Sequence, residues 1–486
     1  MIRAGTYRNA VTFLILLMFA VAVRARDFGN PSIHVDEQFY LLVGDRMLHG
    51  ALPYLDIWDR KPIGLFLLFA GMRLLPGDGI LAYQLVATLC AALTGLIVAL
   101  GARRLGARPL GVLLAGCAYI LWLSFLSGRG GQSPVYYNLL MAAGGYLTLC
   151  LPERARHGKI GAILASGMVA CLLAGLAIQI KYTPLVEGAF FGIAHLWYLH
   201  RAGARIALTI GAGMLWATLG IAPTLAAILY FKAQGAAAFD AFWFSNFTSI
   251  ALRRGYPAGK IAARLAGSAA QLSPFVLAAA MARRFSDRDE ALAICFAWLA
   301  AALIAFAMIG AFFDHYALPL LGPLAMIAGP ALGRSRLAQG LAAAAALILA
   351  VFHLSTERDY RTSIYTAARV IEAHSATGCP YVFAGDSVLY VLARACVPTR
   401  YAFPSTLAYA AEQGATGTDE AAEVRRILAR RPPVIVTLDA PLSPWNTASK
   451  AVIDAALQRD YSLALSQWRE EEHLLVYVRH DPPARR

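Results

Sequence analysis

Hydrophobic positions in this chain come in long unbroken runs. They show neither the alternation of a half-buried strand nor the one-sided stripe of a surface helix. Such runs recur from residue 10 to residue 354, rich in Ala and Leu. Crossing roughly 30 Å of hydrocarbon takes about 20 helical residues at 1.5 Å each, so the pattern predicts membrane-spanning helices. A barrel would need short alternating segments, which these runs are not. Spans are expected near 9–25, 79–101, 110–127, 135–151, 160–179, 183–199, 206–229, 267–282, 291–309, 317–332 and 338–354, about eleven in all.

The polar connectors between these runs set the topology. Arg3 and Arg8, Arg103/Arg104/Arg108, Arg154/Arg156/Lys159, Arg201/Arg205, Arg283/Arg284/Arg288 and Arg334/Arg336 fall in every second connector, which marks the cytoplasmic side. The first apolar run has no small-residue cleavage site after Val23 and more spans follow, so it reads as an uncleaved first helix. An odd number of spans from a cytoplasmic N-terminus then exports the tail. The domain reading is residues 1–354 as a transmembrane catalytic domain with an extracytoplasmic loop at 26–78, and 355–486 as an extracytoplasmic (periplasmic) α/β domain.

Composition agrees with this picture. Hydrophobic residues make up 59% of the 486 and charged residues 15%, against about 45–50% and about 25% in soluble domains. The net charge of +14 resides in short connectors between spans, which argues against a nucleic-acid partner.

The tail has a different pattern. YVFAGD (381–386), PPVIVTL (432–438) and HLLVYVR (473–479) read as strands, with helical periodicity over Thr362 to His374 and Asp419 to Arg430. A small α/β domain follows. Of seven cysteines, Cys90, Cys117, Cys150, Cys171 and Cys295 lie in expected spans and read as packing residues. Cys379 and Cys396 share the exported tail, where the sequence leaves a disulfide open.

Candidate chemistry concentrates outside the membrane. The segment 26–78 is acidic, with Asp27, Asp36, Glu37, Asp45, Asp56 and Asp59, whereas 230–266 is basic, with Lys232, Arg253, Arg254, Lys260 and Arg264. Opposite charges on one face suggest a shared site. Between His34 and Gly64 the sequence reads as an interfacial helix opened by Asn30-Pro31-Ser32, a loop, and a second helix opened by Pro62 just after Lys61. Asp36 and Tyr40, four residues apart, share a face. Asp36 and Glu37 suit a general base toward a hydroxyl or two oxygen ligands of a divalent cation, or they form an acidic first turn that complements the helix dipole. These readings stay open, as does metal dependence. Lys61, Lys181 at the outer end of a span, His315 at the mouth of another, and the Arg253/Arg254 pair are candidates for holding a phosphate. Tyr40, Tyr54, Asp56, Asp59 and Tyr316 are candidates for contacting substrate.

The succession Asp36-Glu37, Pro53-Tyr54, Asp56 and Lys61-Pro62 resembles the GT-C superfamily of membrane glycosyltransferases. More narrowly, it resembles the bacterial branch related to protein O-mannosyltransferases and the lipid A aminoarabinose transferase. The Gly-Leu-Ala run before Lys181, the run His315 to Pro319, and Tyr381 to Asp386 with Pro398 to Phe403 extend the resemblance over nearly the whole chain. One departure is that Ile63 follows Lys61-Pro62 where these enzymes commonly have a second proline. The resemblance implies transfer of a sugar, hexosyl or pentosyl, from a polyprenyl-phosphate donor to a lipid, glycan or protein acceptor on the outer face of the inner membrane. It places Asp36 at the catalytic acidic position and Lys61 and Lys181 at the donor phosphate. The rival from another class is a transporter or flippase of lipid-linked glycans, which should show internal repeats and broken helices at mid-membrane. No internal repeat is evident, and the ionisable groups concentrate outside the membrane rather than halfway across.

Overall fold

The computed structural model describes residues 2–253, 255–356, 358–469 and 471–480. The chain divides into two compact units, one made of Met1–Phe28, Gln84–Ala227 and Pro257–Glu357, the other of Gly29–Tyr83, Ile228–Tyr256 and Arg358–Arg486. Most of the three outer segments expected from sequence therefore belong to a single unit.

Every expected span is a helix: Ile2–Arg24, Ile80–Arg104, Pro109–Leu123, Ser133–Leu149, Ile160–Ile178, Pro184–Arg201, Ile206–Ala233, Ala258–Ala280, Asp289–Ile309, Leu318–Leu332 and Arg336–Thr356. Among the described residues nine helices are both long and apolar enough to cross a membrane. The two outside that set have simple reasons. Ser133–Leu149 has only 17 residues, and Pro184–Arg201 is diluted by Glu187, His195, His200 and Arg201. The chain is thus a multi-pass helical membrane protein.

The helix expected over 267–282 begins earlier, at Ala258, and takes Lys260 and Arg264 out of the preceding loop. Arg264 then donates to the Ala311 carbonyl at 2.7 Å, and its guanidinium lies 3.7 Å from the Phe313 ring centre.

Leu318–Leu332 is buried along its whole length, Pro323 and Pro330 included. It lies at the core of the helical unit. Small residues permit this: a Cβ on Gly111 would come 2.2 Å from the Gly329 carbonyl oxygen, so two helices meet backbone to backbone. Several polar groups in this interior are paired. Asn138 donates to the Leu318 carbonyl at 3.0 Å, and Arg24 donates to the carbonyls of Gly128 and Gly130, at the end of a bulged turn.

In the second unit, helices Val35–Leu48 and Ile63–Arg73 pack against each other. Gly44 makes their contact close, since a Cβ there would lie 2.6 Å from the Ala70 amide nitrogen. The tail folds around a four-stranded sheet of β1 (Tyr381–Val382), β2 (Val434–Leu438), β3 (Tyr461–Arg469) and β4 (Glu472–Arg479), in the order β1-β2-β4-β3. β1 and β2 run parallel, while β2-β4 and β4-β3 are antiparallel.

The two expected tail helices are present. Arg361–His374 buries Ile364, Ala367, Ala368 and Ile371, and Glu420–Ala429 is capped by the Asp419 carboxylate on the Ala422 amide at 2.8 Å. Helix Thr447–Asp460 and edge strand β3 go beyond the sequence reading, as do the short helices Val388–Leu392 and Ser405–Ala408. Most of β3 is solvent-facing, so it lacks the apolar run by which its neighbours are recognised. Cys379 and Cys396 are joined by a disulfide with their Cα atoms 5.0 Å apart. The other five cysteines are free thiols.

Candidate functional site

The acidic helix starts later than Asn30-Pro31-Ser32 suggests. Asn30 Oδ1 accepts from the Ser32 amide (3.0 Å) and hydroxyl (2.9 Å), which closes a local turn ahead of the helix. His34 is the N-cap instead, its Nδ1 accepting the Asp36 amide at 3.3 Å. Asp36 and Glu37 therefore occupy the first turn, where the helix dipole favours negative charge. Glu37 is fully buried and Asp36 partly exposed. One turn on, the buried Tyr40 ring meets Phe69 edge-on at 5.4 Å and has the Lys61 ammonium 5.7 Å from its centre.

Lys61 is held by the loop between the two helices. Tyr54 adopts a left-handed conformation (φ 72°), donates its amide to Ile57 O at 2.7 Å, and donates its hydroxyl to the Lys61 carbonyl at 2.8 Å. Its ring is packed by Phe66, Phe231 and Phe242. Asp56 closes the same loop by accepting the Leu52 amide at 2.7 Å. Tyr54 and Asp56, expected to contact substrate, thus also hold the loop together. Trp58 fastens the loop to the tail through its amide and the Arg400 carbonyl, 2.8 Å apart.

Electrostatics link the remaining groups. Burial pushes the Asp59 carboxyl above its ordinary value, and the Asp36 charge adds to this; Lys61, the Arg60 amide and the Arg60 guanidinium pull the other way. Asp36, Asp59, Lys61 and Tyr40 hence form one mixed-charge cluster in the second unit.

Arg60 has a different place. Its guanidinium lies 4.6 Å from the Trp58 ring centre and donates to Ser249 Oγ (3.1 Å), Glu412 Oε2 (2.7 Å) and the Ala415 carbonyl (3.1 Å). Arg253 donates to the other oxygen of Glu412 at 2.8 Å. Arg253, expected at a phosphate, thus has Glu412 as a partner, and Arg254 lies outside the described residues.

In the helical unit, Lys181 comes after Gln179 and Ile180 at the end of Ile160–Ile178, and its ammonium lies 4.1 Å from the centre of the Tyr316 ring. His315, mostly buried, packs against Tyr316 at 4.6 Å and Phe313 at 5.8 Å. These residues form a second cationic-aromatic cluster. Among the described residues no group of three or more His, Cys, Asp and Glu side chains is arranged to hold a metal ion.

Sequence reasoning did not single out Gln38, Arg60, Asp386, Glu412 or Arg469. The Asp386 signal was the Ala-Gly-Asp turn after the first tail strand. The partners of Gln38 and Arg60 lie 348 and 352 residues away, and that of Arg469 lies 83 residues away.

Over its whole length the chain is similar to the crystal structure of ArnT from Cupriavidus metallidurans bound to undecaprenyl phosphate. That match has 14% identity, covers 97% of this chain and 98% of the other, and has a TM-score of 0.59. The fold is ArnT-like. The apo crystal structure of the same protein matches with equal identity and coverage and a TM-score of 0.62. No family model and no curated protein sequence matches the chain. An ArnT-like fold at this identity is the architecture that the resemblance in the sequence implies.

Proposed function

We propose that this protein is a glycosyltransferase that moves a sugar from a polyprenyl-phosphate donor to a lipid A, glycan or protein acceptor on the outer face of the inner membrane. The carrying observation is the cluster of Asp36, Asp59, Lys61 and Tyr40 on a chain with an ArnT-like fold throughout. The undecaprenyl phosphate bound to ArnT supports a lipid-phosphate donor for this chain. The basic connectors support a cytoplasmic N-terminus and a periplasmic tail.

In this reading the acceptor hydroxyl attacks the anomeric carbon while the bond from that carbon to the phosphate oxygen breaks. The hydroxyl proton passes to the Asp36 carboxylate, and the polyprenyl phosphate leaves with the bonding pair, which gives inversion. Lys61 offsets the charge growing on the leaving oxygen, as a fixed cation does best where charge develops. Asp59 keeps that cation in place. Lys181, with His315 and Tyr316, is a cation of the same chemistry in the helical unit, and the resemblance in the sequence assigns it to a lipid phosphate as well.

The test is titration of purified protein in nanodiscs with radiolabelled polyprenyl-phosphate sugars. One donor should bind and be consumed by the wild type, and Lys61→Ala and Lys181→Ala should bind it poorly. Absence of binding by every donor would sink the reading and favour transport of lipid-linked glycans.

A further inference from the structure

The second unit contains a buried ion pair outside the cluster just described. Asp386, in the turn after β1, is fully buried, and so is nearly all of Arg469, the last residue of β3. The guanidinium grips the carboxylate at two points, Nη2 to Oδ1 at 2.9 Å and Nε to Oδ2. Taking both charges out of water is expensive, and such pairs are often retained for the arrangement they enforce. Here the arrangement has a third member. Gln38, fully buried on helix Val35–Leu48, donates its side-chain amide to Asp386 Oδ1 at 2.7 Å.

Gln38 directly follows Glu37 and lies two residues after Asp36. A helix advances about 100° per residue, so fixing the direction of the Gln38 side chain fixes the directions of Glu37 and Asp36 as well. The tether is short and charged at its far end, which makes it directional. Neighbouring contacts restrain translation: the Phe39 and Phe403 rings lie 5.1 Å apart, and the short helix Val388–Leu392 packs on the acidic helix. Apolar contacts of that kind tolerate rotation, whereas the amide-to-carboxylate bond does not.

We propose that Gln38, anchored by the buried Asp386–Arg469 pair, is a positioning residue that sets the rotation of the helix carrying Asp36 and Glu37. The tail sheet thereby takes part in the reaction without touching substrate. This inference rests on the glycosyl-transfer reading for its catalytic consequence.

Gln38→Ala tests it, because that substitution removes the tether and leaves the ion pair intact. Amide hydrogen exchange is followed in nanodiscs over residues 36–41 and over β2. Donor affinity and kcat are measured on the same preparation. The expected result is faster exchange at 36–41, unchanged protection of β2, unchanged donor affinity, and kcat lower by roughly tenfold to a hundredfold. Asp386→Asn should act in the same direction, and as it also strips Arg469 of its anion, β2 should loosen with it. Wild-type exchange and kcat in Gln38→Ala would overturn the proposal. So would a loss confined to the amount of folded protein, with the kcat of the surviving enzyme unchanged. A wild type that transfers no sugar, while Gln38→Ala still loosens 36–41, would overturn the transferase reading and leave the tether standing.

Discussion

Glu412 joins two arginines from distant parts of the chain, and the structure makes their contributions unequal. The Arg60 side chain is 14% exposed and its partner carboxylate 11%, while Arg253 is 35% exposed. A hydrogen bond to a charged group contributes about 1.5–3 kcal/mol when it is shielded, and an exposed ion pair about 0–1 kcal/mol. Arg60→Ala also loses the stacking on Trp58, about 0.5–1 kcal/mol. Arg60→Ala should therefore cost roughly 2–4 kcal/mol, Arg253→Ala under about 1 kcal/mol, and Glu412→Ala about as much as the two lost pairs together. For a unit of around two hundred residues this means a fall in Tm of about 5–12 °C for Arg60→Ala and Glu412→Ala. Scanning fluorimetry in nanodiscs, with a double-mutant cycle across Arg60 and Glu412, measures it. Equal costs for the two arginines would refute the reasoning. So would an Arg253→Ala variant that keeps its Tm but loses donor binding, which would return that residue to the phosphate.

Three further outcomes follow from the same geometry. The Asp59 carboxyl holds its proton to a higher pH than it does in the unfolded chain, where its value is 3.8. The unfolded state then deprotonates first, and Asp59 lowers stability as pH rises from 3.8 through the raised value. Asp59→Asn should hence be more stable than wild type at neutral pH, with the difference vanishing in acid; a gain that persists in acid contradicts the burial argument. Gly44→Ala should cost about 1–3 kcal/mol, because its new methyl meets the Ala70 backbone at 2.6 Å. Gly71→Ala on the partner helix, with nothing within 4 Å, should be neutral or stabilising, and matching Tm values would refute the close-contact account. Replacing Cys379 and Cys396 by serine opens a loop of 17 residues and should cost roughly 3 kcal/mol, read as earlier proteolysis of the tail than in wild type.

The helical framework was legible because the bilayer demands one thing of a span, about 20 apolar residues, and nine of the eleven expected helices meet that demand among the described residues. Asp36 and Lys61 were legible by charge type and by their place beside helix starts. Asn30 and Ser32 misled as capping residues since their side chains bond to each other's segment and leave the cap to His34. Strand β3 escaped because most of its residues face solvent, so its place in the sheet comes from pairing with β4. The harder case is Gln38, whose partner is 348 residues away. A glutamine amid Phe39, Tyr40 and Leu41 carries no local mark of a carboxylate folded against it. Arg60 is similar: it reads as one of several loop charges until Glu412, 352 residues on, is seen to bind it.

Single-turnover transfer with Asp36→Asn tests the central claim most directly. Nanodisc-embedded wild type and variant are each loaded with the radiolabelled polyprenyl-phosphate sugar that the wild type consumes and mixed with the acceptor that it glycosylates, and release of polyprenyl phosphate is followed in time. The account predicts that Asp36→Asn binds the donor as the wild type does and releases no polyprenyl phosphate on that timescale. Release at the wild-type rate would contradict it and remove Asp36 from the chemistry.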